Sequence, residues 1–421
     1  MCARERCDRH APAHLLVTWC NSRERLTAYS LESVFSGCAV RSTSMFGLYL
    51  HIPFCEKKCS YCDFYSIEST EHIDRFVDTL LAELRLRSAA GQQPFTSVFF
   101  GGGTPSLLRP HDMHRITSLL RELFVFTDDC EWTMECNPGT VTLERLQGYR
   151  AAGINRLSFG VQSFQASELA FLDRIHNADE AVTAMLLARQ AGFDNVNMDL
   201  MFAVPGQTLE SLSDNLQRMV ALQPDHISAY SLIYEHGTPL YADLLKGRVK
   251  PLPEEIDAEM YHLVISTLRA HGYEQYEVSN FSKAGRRCRH NLTYWHGEPY
   301  LAFGPSAHGF IGTTRYWNYR SLTAWTQHVL KGALPEANHE VLTESDLLTE
   351  HVFLHLRADG LRPLETQDRF GIDVRVALQP DLGYWIDAGF LTDDGDLLSL
   401  TAEGYRVCDE ISSKAAARLA G

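Results

Sequence analysis

From residue 47 onward the chain alternates between two periodicities. Short apolar and β-branched runs, GLYLHIPF (47–54), SVFFGGG (97–103), EWTMECNP (131–138), RLSFGVQS (156–163), NVNMDLMFAVPG (195–206) and HISAYSLIY (226–234), read as strands. The stretches between them, HIDRFVDTLLAELRLRSA and HDMHRITSLLRELF among them, repeat their apolar residues every three to four positions and read as amphipathic helices. Gly153, Gly192, Gly206 and Pro224 stand where helices must stop and strands begin. This alternation predicts an α/β fold of parallel strands joined by right-handed helical crossovers. The six runs are too few to close an eight-fold barrel, so a partial barrel and a doubly wound sheet both fit. Either places a ligand at the C-terminal strand ends.

Further along, the helical stretch PEEIDAEMYHLVISTLRAHG leads into an aromatic and basic segment, YEQYEVSNFSKAGRRCRHNLTYWHG. From about residue 340 the character shifts again, and FLTDDGDLLSLTAEGYRVCDEI offers a strand, an Asp-Gly turn, a second strand and a helix. That order fits a small winged-helix module or a plain helical cap. Residues 1–44 show no sustained period, and their apolar stretch around Leu15 to Val17 is too short for a secretory signal. A disordered extension and a misassigned start both fit, and Met45, directly before the first strand, favours the second.

Composition narrows the function. The chain of 421 residues has a net charge of −15, which argues against wrapping a nucleic acid backbone. No apolar run reaches the roughly 18 residues a membrane span needs. Integral insertion is thereby excluded; peripheral contact with a membrane is not. The 11 cysteines are an odd number, and three fall within the eight residues CEKKCSYC, a pattern expected of a reducing, cytoplasmic compartment rather than a disulfide scaffold.

The strand ends carry the chemistry. Cys55, Cys59 and Cys62 leave the first strand in one loop and can converge on a soft metal centre. A structural zinc site would want a fourth ligand, and none lies nearby in sequence. Gly101, Gly102 and Gly103 end the second strand, where they let a ligand approach and leave backbone amides to donate. Glu135, Gln162 and Asp199 sit at or near the third, fourth and fifth strand ends, with Arg174 beyond. Carboxylates there suit an ammonium group or ribose hydroxyls, and a guanidinium suits a carboxylate. His290, His296 and His308 lie among Tyr294, Trp295, Tyr300 and Phe303, the imidazoles and flat rings a heme face needs. Lys283, Arg286, Arg287 and Arg289 could meet heme propionates. A packed aromatic cluster beside a solvated basic loop is the plainer reading of the same residues.

GLYLHIPFCEKKCSYCDF, VFFGGGTPS, ECNPGT, GINRLSFGVQSF, NMDLMFAVPGQT and HNLTYW together resemble the HemW heme chaperones, relatives of the oxygen-independent coproporphyrinogen III dehydrogenases. The resemblance runs from about residue 45 to the C-terminus. It implies a partial (β/α)6 radical S-adenosylmethionine (SAM) barrel over 45–280, an aromatic and basic heme-associated segment and linker over 281–335, and a C-terminal winged-helix-like domain over 336–421. It implies a [4Fe–4S] cluster on Cys55, Cys59 and Cys62, with SAM surrounded by Tyr49, Gly102, Gly103, Thr104, Glu135, Gln162, Arg174 and Asp199. His290 of HNLTYW becomes the expected heme ligand, with His308 and His296 as rivals. Phe64 stands where the dehydrogenases carry a further cysteine, which favours a chaperone delivering heme to an apo-hemoprotein such as a respiratory enzyme. The competing expectation is an enzyme that decarboxylates porphyrinogen propionates to vinyl groups. A chain beginning at Met45 is expected to fold and hold the same cofactors as the full sequence; insolubility, or failure to hold a cluster, would count against that start.

Overall fold

The structure, a computed structural model, describes residues 45–88 and 93–419; the extension 1–44 and its reading as a misassigned start lie outside them. Its strands are β1 (Gly47–Ile52), β2 (Phe95–Gly102), β3 (Phe126–Cys136), β4 (Arg156–Gln162), β5 (Val196–Phe202), β6 (His226–Ser231), β7 (Glu274–Gln275), β8 (Asn280–Ser282), β9 (Tyr300–Phe303), β10 (His308–Ile311), β11 (Thr314–Asn318), β12 (Glu336–Val341), β13 (Leu391–Asp393) and β14 (Leu398–Leu400). Its helices are α1 (Ile73–Leu86), α2 (Pro110–Leu123), α3 (Leu143–Ala151), α4 (Ala166–Phe171), α5 (Ala178–Gln190), α6 (Leu209–Ala221), α7 (Pro239–Leu245), α8 (Glu254–Ala270), α9 (Arg289–Trp295), α10 (Leu322–Leu330), α11 (Glu344–Leu356), α12 (Pro363–Phe370), α13 (Val374–Ala377), α14 (Asp381–Asp387), α15 (Ala402–Tyr405) and α16 (Cys408–Leu419).

One open sheet dominates, in the order β12-β11-β10-β9-β1-β2-β3-β4-β5-β6-β8-β7. β1 to β6 pair in parallel in sequence order, as the alternation predicts. β9 adds a parallel neighbour on the far side of β1, and β10 to β12 continue antiparallel. The stretch 281–335 thus contributes strands to the main sheet.

The parallel strands have two chemically distinct faces. Leu48, Leu50, Val98, Phe100, Met134, Leu157, Phe159, Val196 and Met198 are buried in the core shared with the helices. Such side chains contribute about 1.5–3 kcal/mol each on burial. Most alternate positions are polar, namely Tyr49 and His51, Ser97, Thr133 and Glu135, Ser158, Asn197 and Asp199, His226 and Ser228, with Phe99 the apolar member. A parallel sheet covered by helices on both faces reads apolar throughout. Here one face packs on helices and the other lines a polar interior.

Glu83 fastens the edge of this sheet. It lies on the buried stripe of α1 with Phe76, Leu80 and Leu84 and is fully buried. Its carboxylate accepts hydrogen bonds from the Gly304 amide (2.8 Å), the Trp325 indole (2.9 Å) and the Asn318 amide (2.7 Å). One turn on, Arg87 pairs with Glu336 at 2.7 Å and lies over the Tyr316 ring. Beyond the sheet, α11 to α16 and the hairpin β13–β14 form a helical domain. Leu361 bridges Leu398, so helix, bridge, helices, hairpin and helix follow in winged-helix order. Among the described residues no helix is long and apolar enough to cross a membrane. Glu83→Ala would strand three buried donors, and we expect a loss of about 3–5 kcal/mol in chemical denaturation; a loss under about 1 kcal/mol would contradict this role.

Candidate cofactor site at the strand ends

The cysteine loop leaves β1 and is closed at its base, where the Cys55 amide donates to the Ile67 carbonyl (3.0 Å) and the Ile67 amide to the Pro53 carbonyl (2.7 Å). Lys57 pairs with Asp173 at 2.6 Å, tying the loop to the turn after α4. Cys59 is buried, while Cys55 and Cys62 are half-buried. The Thr104 hydroxyl lies 3.6 Å from the Cys55 sulfur, and the Arg174 guanidinium 3.6 Å from that of Cys59. Burial pushes the Cys62 thiol up to about 12, with a neighbouring Cys59 thiolate adding to the rise, and burial likewise raises Cys55. A cation among these sulfurs would reverse that cost. Among the described residues no three side chains are set to enclose a single metal ion; the thiolates of a multi-iron cluster stand on separate irons.

The glycine run does a different job from the one expected of it. Its amides are already used: Gly102 donates to Glu135 (3.1 Å), Gly103 to the Ile52 carbonyl (2.8 Å) and Thr104 to the Phe54 carbonyl (2.7 Å). A Cβ on Gly103 would lie 2.6 Å from the Phe54 carbonyl oxygen. The glycines therefore seam β2 against the chain entering the cysteine loop rather than offer free donors.

Glu135 and Asp199 face the same interior. Burial, then the nearby Asp199, raises Glu135 to about 8; burial raises Asp199 to about 6 against the bond it accepts from Asn197 at 2.7 Å. Gln162 closes β4 with φ of 67°, a left-handed conformation that few non-glycine residues adopt. Its side-chain oxygen is buried without a partner, as is the Arg174 Nε, although Arg174 also donates to the Gly160 carbonyl at 2.6 Å. Unsatisfied buried polar atoms beside thiols and carboxylates are what a polar ligand would satisfy. Tyr49 lies on the same face, its hydroxyl 3.1 Å from His51 Nδ1.

His290 is placed elsewhere. It lies by Gly47, which opens β1, and by Ser97 of β2, and its ring also stacks 6.3 Å from that of Tyr49, two residues further along β1. Its Nδ1 meets the Ser97 hydroxyl (2.9 Å), its Nε2 the Tyr294 hydroxyl (2.8 Å), and its ring stacks on Phe99. Both ring nitrogens are engaged and the residue is 1% exposed, so His290 lies hydrogen-bonded in the core. The basic loop lies at the same lower end: Arg289 pairs with Asp129, Arg286 with Asp194, and Lys283 donates to the Gln223 carbonyl. His296 is bound to Asp359 at 3.1 Å and ties α9 to the C-terminal domain. His308 alone of the three histidines reaches the strand-end rim. Beside it the structure adds His51, Tyr65 and Arg320, which sequence reasoning passed over. The polar parity of Tyr49 and His51 was the available signal for His51.

The neighbours of this arrangement are known. Residues 49–219 match the radical SAM superfamily, and residues 342–407 match the HemN C-terminal domain. The structure superposes on coproporphyrinogen III oxidase (HemN) from Escherichia coli, a radical SAM enzyme, with a TM-score of 0.76 and 25% identity over 91% of this chain and 92% of that one. Fold and strand-end site together define a radical SAM protein. Within that class the sequence is 37% identical over 369 residues to the heme chaperone HemW of Bacillus subtilis, covering 86% of this chain and 97% of that one. It is also 37% identical over 380 residues to HemW of Mycobacterium tuberculosis, covering 89% and 96%. The chain belongs to the HemW family.

Glu135 offers a test of the site without any cofactor. Its carboxyl holds a proton in the folded state that the unfolded chain would release near 4.5. Ligand-free stability should therefore fall as pH rises from about 4.5 through 8. Glu135→Gln keeps an acceptor for Gly102 and removes the ionisation. We expect it to melt higher than the parent at pH 9, with a smaller gap at pH 5; an equal or lower melting point at pH 9 would contradict the assignment.

Proposed function

We propose that this chain is a cytoplasmic heme chaperone that holds a [4Fe–4S] cluster and SAM and passes heme to an apo-hemoprotein, such as a respiratory enzyme. One observation carries the reading. Three thiols share one loop at the strand ends, and two carboxylates lie buried on neighbouring strands, in a chain matched over 86–89% of its length with proteins named heme chaperones. Cys55, Cys59 and Cys62 would hold the cluster. Tyr49, Gly102, Gly103, Thr104, Glu135, Gln162, Arg174 and Asp199 would surround SAM.

The residues fit those guests. A cluster on three thiolates supplies one iron open to the amino and carboxylate groups of SAM, and an electron for its sulfonium. Glu135, neutral below about 8 when empty, gives up its proton to receive an ammonium group. Asp199 is positioned for hydroxyls or shared positive charge. Arg174 keeps an unused Nε for a carboxylate while its Nη1 stays on Cys59. Lys57, through Asp173, holds the cysteine loop against this wall.

The second reading, oxidative decarboxylation of coproporphyrinogen III, draws on the likeness to HemN. One experiment separates the two. The protein is reconstituted anaerobically, its iron and sulfide are quantified, and it is then titrated with heme and separately supplied with coproporphyrinogen III and SAM. We expect about four irons and four sulfides per chain, stoichiometric heme uptake and no vinyl product. Vinyl product at a useful rate would defeat the chaperone reading. Cys59→Ala should lose the brown chromophore, and full retention would defeat the cluster assignment.

A further inference from the structure

β4 does not run straight into the site. Its pairing with β5 is regular as far as Phe159 opposite Met198 and resumes at Gln162 opposite Leu200, so β4 carries one extra residue just before its end. A bulge of this kind bends a strand and re-aims the side chain that follows. Here that side chain is Gln162, at φ of 67°. The carbonyls that the bulge withdraws from the ladder must find other donors.

We propose that His176 is the positioning residue of this strand end: by holding the Val161 carbonyl it fixes the bulge that sets Gln162 and Arg174 for SAM. The inference rests on the SAM reading above and adds to it the residue that arranges two of the proposed contacts.

The segment between α4 and α5 supplies both donors. Arg174 Nη2 donates to the Gly160 carbonyl at 2.6 Å, and His176 Nε2 meets the Val161 carbonyl at 3.0 Å. A carbonyl can only accept, so Nε2 carries the ring hydrogen. Burial, then the charge of Arg174, lowers His176 to about 4, which keeps the ring neutral and Nδ1 a bare lone pair. Among the described residues Nδ1 is buried with no partner, so the bond to Val161 is the one the imidazole makes. The Ser163 amide donates to the same carbonyl at 2.9 Å and closes a tight turn around Gln162.

The clamp is itself held on both sides. The Arg174 amide donates to the Leu169 carbonyl at 2.9 Å, and Asp173 pairs with Lys57 of the cysteine loop. Asn177, directly after His176, caps α5 through a reciprocal box with Glu180. Gly160 then lets the two SAM-facing side chains meet: a Cβ there would lie 3.1 Å from Gln162 Nε2 and 3.2 Å from Arg174 Nη2. Gln162 Oε1 and Arg174 Nε, both buried and unused, therefore hang on one short piece of backbone. A displaced Val161 carbonyl displaces both.

The test is SAM binding by the reconstituted full chain, read from the electron paramagnetic resonance signal of the reduced cluster during a SAM titration. A glutamine amide nitrogen stands where histidine Nε2 does, and an asparagine amide nitrogen where Nδ1 does. His176→Gln should keep the Val161 bond and bind SAM within about threefold of the parent. His176→Asn should bind at least about tenfold more weakly, with the iron and sulfide content of the parent. Parental affinity in His176→Asn, or a His176→Gln variant as weak as His176→Asn, would overturn the assignment and leave the SAM reading standing. Loss of the cluster in His176→Asn would overturn it too, by making the residue a general support of the fold. A parent whose signal ignores SAM would overturn both readings.

Discussion

Acidic groups buried in one place, outnumbering the Arg174 and Arg156 cations beside them, are the constraint on which this molecule turns. Glu135 faces a backbone amide and a second carboxylate. Cys55 and Cys62 are raised by burial and by Cys59 beside them. Each group would be cheaper in water, and together they repel. A fold retains such an arrangement where a positively charged guest reverses the cost. Radical SAM chemistry needs two such guests, an iron cluster and a sulfonium amino acid. With a cationic guest bound, the same charges would contribute to its binding instead of opposing the fold.

The rest of the architecture serves that rim. The strands divide by parity, apolar side chains toward the helices and polar ones toward the interior, so the sheet is both core and container. The interior polar groups satisfy one another at the lower end, where Ser97, His290 and Tyr294 form a chain and Asn197, His226 and Tyr276 another. Unpartnered buried atoms remain at both ends, Arg156 Nε at the start of β4 and Gln162 Oε1 and Arg174 Nε at the upper end, where the last two lie beside the cysteine loop. Glu83 and Arg87 extend the rim sideways by fixing β9 to β12, which brings His308 beside the cysteine loop.

Much of this was legible in the sequence, because local signals carry it. The six strands announce themselves by run length and turn residues, and three cysteines in eight residues need no tertiary information to be noticed. β9 to β12 were not legible: YLAF and HGFI are four residues each, too short for a period, and they sit in a segment whose aromatics and arginines suggest a ligand face. The part His290 plays depends on Ser97, almost two hundred positions away, which no local pattern reveals. The glycine amides were misread for a similar reason, since their acceptors on Ile52, Phe54 and Glu135 come from other strands. Glu83 could have been found, because a carboxylate in line with Phe76, Leu80 and Leu84 on a helix must be buried and therefore paired.

The claim at the centre is that the strand-end rim binds a cluster with one corner left for SAM. Electron paramagnetic resonance of the reduced, reconstituted protein tests it most directly, recorded before and after SAM is added. The account predicts a [4Fe–4S]+ signal whose g-values shift when SAM binds, with no shift in Glu135→Gln. A signal indifferent to SAM, or a metal centre silent under reduction, would contradict it.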